Sequence, residues 1–389
     1  MFSLNTLLYM ATSIIGVVLV HIALDDISKF LKEGLLKDRF NFENESFEQC
    51  KDLQTNDYSV NIPMRYYYKG KFRKGWENIV NPFRGTWVVG TPGSGKTFSI
   101  IESFIRQHSE KGFALVLYDY KFPSLATKLY FHYPKNPSYL LIANDPEMES
   151  IIGALNALIL NRLVTRVNTG QGKNIPTSII VDELPTLYFH KIDRLIGTAR
   201  SNKVSVTLGF QELPQLEADY GKVGMQKIIT TVGNVVSGSA RSKETLEWLS
   251  SDIFGKVVQL KKGVTIDRDK TSINLNENMD SLVPASKISD MPTGWICGQT
   301  ARDFVKTKTG RGGSMNIQES EEFKTSKFYC KTDFNMADIK KEEDGYVALP
   351  KFYTFKSRDE RERILYKNFV QVGEDVKSMI NTIQRYKVK

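Results

Sequence analysis

The sequence predicts an α/β protein whose core is a parallel sheet, with an apolar helix at the N-terminus and a helical tail at the C-terminus. Buried strands are predicted by short apolar runs at 85–90, 113–119, 139–143, 178–183 and 204–210, with helical patterns between them, for example at 95–111 and 146–166. Strands that alternate with helices form parallel sheets covered on both faces. Further strand patterns follow at 234–238 and 294–298.

Length, charge and cysteine content limit the possible domain organisation, partners and compartment only loosely. With 389 residues and 41% apolar content, the chain can build one large domain with smaller attachments. The formal charge of +9 suits contact with nucleic acid or anionic lipid, although proteins that bind neither often carry as much. Cys50, Cys297 and Cys330 have no metal-ligand spacing and cannot all pair. A reducing compartment is the simpler interpretation, with these thiols as buried or functionally indifferent residues.

The first 24 residues predict a membrane anchor. No charged side chain occurs between Met1 and Leu24, and this length is enough to cross a hydrocarbon core of ~30 Å at ~1.5 Å per residue. A signal peptide would begin with basic residues and end in small ones, and this segment has neither. Basic residues follow from Lys29 onward, which predicts a single-pass protein with its bulk in the cytoplasm. The alternative is a buried or interfacial helix, because polar residues such as His21 interrupt the segment.

The rest of the chain divides by its patterns. A stalk or linker is predicted at residues 25–60, which are charged and helix-biased. The α/β domain is predicted at residues 61–330, and a C-terminal helical extension at residues 331–389. The helix of that extension begins at a capping box, and its apolar stripe packs either on its own domain or on a partner.

Two basic patches lie within the predicted α/β domain. The stretch 65–76 predicts a basic, aromatic hairpin that turns at Gly70, and a basic glycine-rich loop follows at 306–313. Each patch, Arg65–Lys74 and Lys306–Arg311, is by itself explained by a solvated surface. Together, and beside a core domain that acts on nucleic acid, they become candidates for contact with a phosphate backbone.

Residues 90–97 match the phosphate-binding loop pattern in full, after an apolar strand and at the start of a helix. The predicted nucleotide-binding residues are Gly90, Thr91, Pro92, Gly93, Ser94, Gly95, Lys96 and Thr97. The glycines let backbone N–H groups surround a phosphate, the lysine reaches the β- and γ-phosphates, and the threonine hydroxyl ligates Mg²⁺. A chance glycine-rich turn is the alternative, and the strand and helix on either side argue against it. The sequence therefore predicts ATP and Mg²⁺ as cofactors.

The apolar strand at 178–183 delivers two carboxylates to its C-terminal end, where open α/β sheets bind their ligands. Asp182 is predicted to hold the metal, and Glu183 to activate or orient the attacking water. An apolar strand that ends in Asp-Glu usually marks only a loop. After a complete phosphate loop it predicts the P-loop class with a catalytic glutamate, which includes ring-forming motors.

Other polar residues lie near the ends of the same predicted strands. Gln211 follows the strand at 204–210 and can sense the γ-phosphate, and Asp119 and Lys121 end the strand at 113–119 beside the same pocket. Arg200 is a candidate arginine finger for the nucleotide of a neighbouring subunit. Arg200 and Lys203 are also explained as cations at the end of a helix.

Several stretches of the sequence together resemble a known family. Residues 65–90, the phosphate loop, YDYKF at 118–122, the run at 181–216 and VGNVVSGSARSKETLEWL after it resemble the conjugative coupling proteins of the TraG and MobC type. The resemblance implies a RecA-like core of the FtsK/HerA branch, anchoring in the cell inner membrane and assembly into a homo-hexamer. It also implies ATP-driven pumping of DNA, and receipt of a relaxase or relaxosome for a type IV secretion channel.

Family roles transfer only to matching positions. Lys96 and Thr97 match the end of the Walker A motif, Asp182 and Glu183 the Walker B motif, and Gln211 the sensor. Arg200 matches the arginine finger to within one residue of alignment.

The chain also departs from the family. Only residues 123–138 stand where members carry a large all-helical domain, so the chain is either a compact member or one from which that domain was removed. That domain is associated with substrate recognition, which puts relaxase docking in doubt. Members also have more than one membrane helix, where this sequence predicts one.

The sequence thus predicts a membrane-anchored ATPase whose ATP hydrolysis is coupled to DNA translocation. One alternative is a phage-assembly or DNA-packaging motor, which would share every catalytic residue. The other is a nucleotide-gated membrane adaptor that recruits secretion substrates with little pumping.

Overall fold

The structure is a computed structural model that describes residues 4–36, 47–132, 138–144, 149–167, 175–187, 192–266, 271–301, 326–350 and 355–387. The basic patch predicted at Lys306–Arg311 lies outside these residues. By its contacts the chain divides into two compact units, Met1–Tyr346 and Val347–Lys389.

The elements in chain order are as follows. The helices are α1 (Leu4–Leu36), α2 (Glu102–Glu110), α3 (Ser124–His132), α4 (Glu149–Val167), α5 (Ile192–Ala199), α6 (Leu213–Thr231), α7 (Lys243–Glu247), α8 (Ala285–Ser289), α9 (Met336–Glu343) and α10 (Arg358–Lys387). The strands are β1 (Val60–Tyr68), β2 (Lys71–Ile79), β3 (Thr86–Val89), β4 (Ala114–Asp119), β5 (Tyr139–Ala143), β6 (Thr177–Val181), β7 (Val204–Phe210), β8 (Asn234–Ser237), β9 (Lys256–Ile266), β10 (Thr271–Ser281), β11 (Trp295–Gln299) and β12 (Lys327–Thr332).

A ten-stranded sheet organises the first unit, in the order β2-β1-β12-β11-β8-β3-β7-β6-β4-β5. The six strands from β8 to β5 run parallel to one another. Strands β3, β6 and β7 are buried along their whole length, as expected where both faces of a parallel sheet are covered. The predicted α/β fold with a parallel core is confirmed.

The other four strands of the sheet form an antiparallel wing beside β8. At its edge β1 and β2 form a hairpin whose register runs from Val60 opposite Ile79 to Tyr68 opposite Lys71. The two residues of the turn, Lys69 and Gly70, have φ values of +52° and +74°. Positive φ at both positions suits the twist of a two-residue hairpin. The predicted turn at Gly70 is confirmed.

Apolar side chains pack on both faces of the sheet. On one face the ring of Trp87 meets Phe210 edge-on at 5.0 Å between centroids, which fixes β3 against β7. On the other face α2 contributes buried residues, among them Phe104. An ion pair of 2.9 Å between Arg106 and Glu342 joins α2 to α9. The parallel strands therefore lie between two apolar clusters, one on each face of the sheet.

Strands β9 and β10 are not part of this sheet and form a separate two-stranded ribbon. In the second unit, the backbone N–H of Glu360 donates to Ser357 Oγ over 3.1 Å at the start of α10, which is the predicted N-terminal cap.

At the N-terminus, α1 includes part of the segment predicted as an anchor, residues 1–24, of which 1–3 lie outside the described residues. No helix among the described residues is long and apolar enough to cross a membrane.

Candidate nucleotide-binding site

A cleft of about 190 Å³ lies at the sheet edge where β3, β4, β6 and β7 end. Parallel strands bring their C-terminal ends to one edge, so residues far apart in sequence meet there. The lining comprises Pro92, Lys96, Thr97, Asp119, Lys121, Ser124, Leu125, Asp182, Glu183 and Gln211. It therefore brings together the predicted Walker A and Walker B residues and Gln211.

The phosphate loop needs glycine at two places for steric reasons. Gly90 has a φ of +148°, and a Cβ there would lie 2.7 Å from Ser94 Oγ. Gly95 has a φ of +89°, and a Cβ there would lie 3.2 Å from the backbone nitrogen of Gly294. Both conformations are open to glycine and rare for other residues. The two glycines thus allow the curved backbone path of a cradle of the kind that binds phosphate.

A segment far along the chain braces this loop. Thr293 Oγ1 donates to the carbonyl of Gly93 over 2.8 Å, and the N–H of Gly294 donates to the carbonyl of Ser94 over 3.3 Å. Gly294 in turn accepts a hydrogen bond of 2.9 Å from the N–H of Thr332 on β12. The sequence analysis missed this contact, because a Thr-Gly pair before a strand carries no signal for it.

Lys96 is buried and faces two oxygen acceptors. Its Nζ lies 3.4 Å from Glu183 Oε2 and 3.3 Å from the carbonyl oxygen of Phe210. Because β7 lies between β3 and β6, both acceptors are at the ends of neighbouring strands. The ammonium group is thus fixed at the floor of the cleft, where a nucleotide phosphate would meet it.

Thr97 and Asp182 supply oxygen ligands for a cation. Thr97 Oγ1 lies 3.4 Å from Asp182 Oδ1, and a hydroxyl beside a carboxylate is a donor set that suits a hard cation such as Mg²⁺. The pKa of Asp182 is raised to about 6, chiefly by burial and also by the nearby charges of Glu183 and Asp119, against the lowering effect of Lys96. A divalent cation at this position would favour the ionised carboxylate. The residues present therefore fit the predicted Mg²⁺.

Gln211 reaches into the site from the end of β7. Its Nε2 donates to Glu183 Oε2 over 3.1 Å. The amide therefore fixes the carboxylate that the sequence analysis assigned to water activation. The structure places Gln211 as the sequence predicted, on the same sheet edge as the Walker residues.

Asp119 and Lys121 also line the cleft, as the sequence analysis expected. Asp119 Oδ2 accepts hydrogen bonds from the N–H groups of Leu125 and Ala126, at 3.0 and 2.9 Å, and so caps the first turn of α3. Burial raises the pKa of Asp119 above its ordinary value. Its contacts are those of a helix cap at the rim of the cleft.

Arg200 lies at the N-terminal ends of the parallel strands, whereas the cleft lies at their C-terminal ends. It is exposed in the turn Arg200–Asn202 that precedes β7, and Lys203, which follows that turn, accepts a hydrogen bond from the N–H of Thr177 at the start of β6. The length of β6, five residues at ~3.3 Å each, separates this edge from Asp182. The structure does not bring Arg200 into the cleft of its own chain, and its role as a finger in trans stays a prediction.

Comparisons with known proteins bear on this arrangement. A family described as the TraM recognition site of TraD and TraG matches residues 176–293. The resemblance to TraG-type coupling proteins is confirmed over these residues. The matched region runs from the start of β6, through the Walker B residues and Gln211, to the segment that braces the phosphate loop. No curated protein matches the sequence.

Solved structures of similar proteins can be compared as well. The bacterial conjugative coupling protein TrwBdeltaN70 in an unbound form aligns with a TM-score of 0.47 and 12% identity, over 57% of this chain and 83% of its own. The plasmid coupling protein TrwB in complex with ADP and Mg²⁺ aligns with a TM-score of 0.45 and 13% identity, over 57% and 83%. The DNA-packaging ATPase B204 of Sulfolobus Turreted Icosahedral Virus aligns with a TM-score of 0.37 and 14% identity, over 56% and 92%.

Proposed function

We propose that this protein is an ATPase that drives DNA through a conjugative type IV secretion system. The observation that carries the proposal is the convergence of Lys96, Thr97, Asp182, Glu183 and Gln211 on one cleft behind a complete phosphate loop. Such a cleft has the parts that nucleotide hydrolysis needs: a phosphate cradle, a cation site and a carboxylate for water.

Each side chain has one task in this proposal. Lys96 neutralises charge on the phosphates, while Thr97 and Asp182 hold the Mg²⁺ that accompanies ATP. The carboxylate of Glu183 accepts the proton of the attacking water or orients that water, and Gln211 keeps the carboxylate in position. ATP hydrolysis releases the energy, and the protein supplies position and charge.

The partners rest on the family match and on charge. A chain similar to TraD and TraG over residues 176–293 would meet a relaxosome component, a relaxase and the components of a secretion channel. The formal charge of +9 suits a DNA substrate. Assembly into a homo-hexamer and a single-pass anchor in the cell inner membrane, with the bulk of the chain in the cytoplasm, complete the proposal.

One experiment tests the proposed function. ATP turnover by the purified protein is measured with and without DNA, for the wild type and for Glu183→Gln. We expect DNA to stimulate the wild type, and the variant to be inactive under both conditions. Two results would favour the nucleotide-gated adaptor over the motor. One is that the wild-type protein hydrolyses no ATP, and the other, from a separate assay of DNA transfer between cells, is that the Glu183→Gln protein still supports transfer.

A further inference from the structure

The hairpin of β1 and β2 presents an unbalanced positive charge at the edge of the sheet. Between residues 65 and 74 there are five cationic side chains and no acidic one. Of these, Arg65 pairs with Asp333 at 2.8 Å, whereas Lys69 and Lys71 lie exposed at the turn and Lys74 lies exposed further along β2, opposite Arg65. A concentration of like charge on a two-stranded edge is suited to a polyanion.

Aromatic rings lie among these cations. Phe72 is 64% exposed, and its ring meets Tyr67 edge-on at 5.4 Å across the hairpin. The ring of Tyr68 has Lys69 Nζ at 5.1 Å and the guanidinium of Arg73 at 5.4 Å from its centroid. Phe72 is therefore held in place by its neighbour while much of its surface stays accessible.

We propose that this hairpin binds single-stranded DNA, with one base stacked on Phe72, an adjoining phosphate on Lys74 on the same face, and the following phosphates on Lys69 and Lys71 at the turn. Every base has a flat face that can stack on an aromatic ring, so such a contact tolerates any sequence. The proposal rests on the proposed function in taking DNA as the polyanion. It concerns a surface on the antiparallel wing, separate from the nucleotide cleft.

An anionic membrane surface is the other polyanion to consider, and the tip of the hairpin argues against it. The residues at the turn are Lys69, Gly70 and Lys71, so insertion would carry two ammonium groups ahead of the one exposed ring. Hairpins and helices that enter a bilayer present apolar side chains at the leading edge. A single aromatic ring set between cations fits a base between its phosphates better.

The test measures binding of nucleotide-free protein to a fluorescent oligothymidylate by anisotropy. Phe72→Ala should raise Kd by roughly tenfold, the lower part of the range for a base–aromatic stack. Phe72→Tyr, which keeps a ring, should restore binding. Phe369→Ala, a matched change at an exposed phenylalanine of α10, should leave Kd unchanged. On an oligonucleotide of the same length without bases, Phe72→Ala should have no effect.

The cations are tested through the salt dependence of the same binding. Replacing Lys69 and Lys71 with Gln should reduce the slope of log K against log salt by about 1.4, or about 0.7 for each cation. The matched pair Lys222→Gln with Lys227→Gln, exposed on α6, should leave the slope unchanged.

Two results would overturn the proposal. One is an equal loss of binding by Phe72→Ala on oligonucleotides with and without bases. The other is that the Lys69 and Lys71 variant releases the protein from anionic phospholipid vesicles while its oligonucleotide binding stays unchanged. Because binding is measured without ATP, inactivity in the turnover assay leaves this test intact. Lys96→Ala should bind the oligonucleotide like the wild type, which separates the two proposals.

Discussion

Gln211 and Lys96 meet on the same oxygen of Glu183. Nε2 of Gln211 donates to Glu183 Oε2 over 3.1 Å, and Nζ of Lys96 lies 3.4 Å from that oxygen. A carboxylate oxygen that faces both an amide and an ammonium group has a fixed orientation in the cleft. The group that we propose for water activation is thus positioned by Gln211 and Lys96.

Gln211→Ala should lower kcat by roughly 10²-fold, at the low end of what a positioned acid–base group contributes. The amide touches Glu183 and no part of the phosphate loop among the described contacts, so the Kd for ATP should change little. Steady-state turnover and nucleotide binding by fluorescence measure the two quantities. Gln215→Ala, four residues further on and exposed, is the control. An unchanged kcat for Gln211→Ala would remove the amide from the mechanism.

Glu183→Gln and Asp182→Asn should separate two roles on neighbouring residues. Glu183→Gln should retain Mg²⁺-dependent nucleotide binding and lose turnover by ~10³-fold, because it removes the group that accepts a proton. Asp182→Asn should weaken the dependence of nucleotide binding on Mg²⁺, because it removes a charged oxygen ligand. A magnesium titration of nucleotide binding distinguishes them. Identical titrations for both variants would contradict the assignment of Asp182 to the metal.

Arg200→Ala should lower kcat by ~10³-fold with little change in ATP affinity if the residue acts on a neighbouring subunit's nucleotide. Arg194→Ala, at an exposed arginine of α5, is the matched control. Mixing Arg200→Ala with Lys96→Ala subunits should restore activity, because an intact arginine then faces an intact phosphate loop. Failure of co-assembled mixtures to recover turnover would return Arg200 to a cation at a helix end.

His108 should make the fold sensitive to acid. Burial lowers the pKa of His108 to about 3, helped by the charge of Lys111, and its ring stacks on Phe113 at 4.0 Å. The folded protein therefore binds fewer protons than the unfolded chain below pH 6.5, and stability is lost as pH falls. Through this histidine the free energy of unfolding falls by up to ~1.4 kcal/mol for each unit by which the pH is lowered. His108→Gln should be less stable at pH 7.5 but have a shallower loss down to pH 5.5, measured by denaturant unfolding. Equal slopes would show that other groups cause the loss.

Deletion of residues 1–24 should move the protein from the membrane fraction to the supernatant without loss of ATP turnover. The reason is the uncharged segment followed by basic residues from Lys29 onward. A deletion of similar length from the end of α10 is the control for a general effect of truncation. Full-length protein that stays in the supernatant without detergent would contradict the anchor.

The parallel core could be predicted closely because its signals are local. Strand β7 is buried at every position and its sequence combines apolar residues with small and β-branched ones, and the observed strand has the predicted bounds, 204–210. The phosphate loop likewise depends on eight adjacent residues. Neither requires knowledge of a distant partner.

Contacts between distant segments could not be predicted. Met64 on β1 lies opposite Thr332 on β12, a pairing that no short stretch of sequence encodes. The bond from Thr293 to Gly93 spans 200 residues. Such pairings are decided by the packing of the whole sheet, and the residues involved have no unusual local pattern.

The brace on the phosphate loop gives the site a mechanical connection. Gly93 and Ser94 are bonded to Thr293 and Gly294, Gly294 is bonded to Thr332, and β12 carries Thr332 beside β1. A displacement of the loop must therefore either break two hydrogen bonds or pull the wing with it. The hairpin with the exposed Phe72 lies at the far end of that wing, so hydrogen bonds connect the candidate nucleotide-binding cleft to the β1–β2 hairpin without a break.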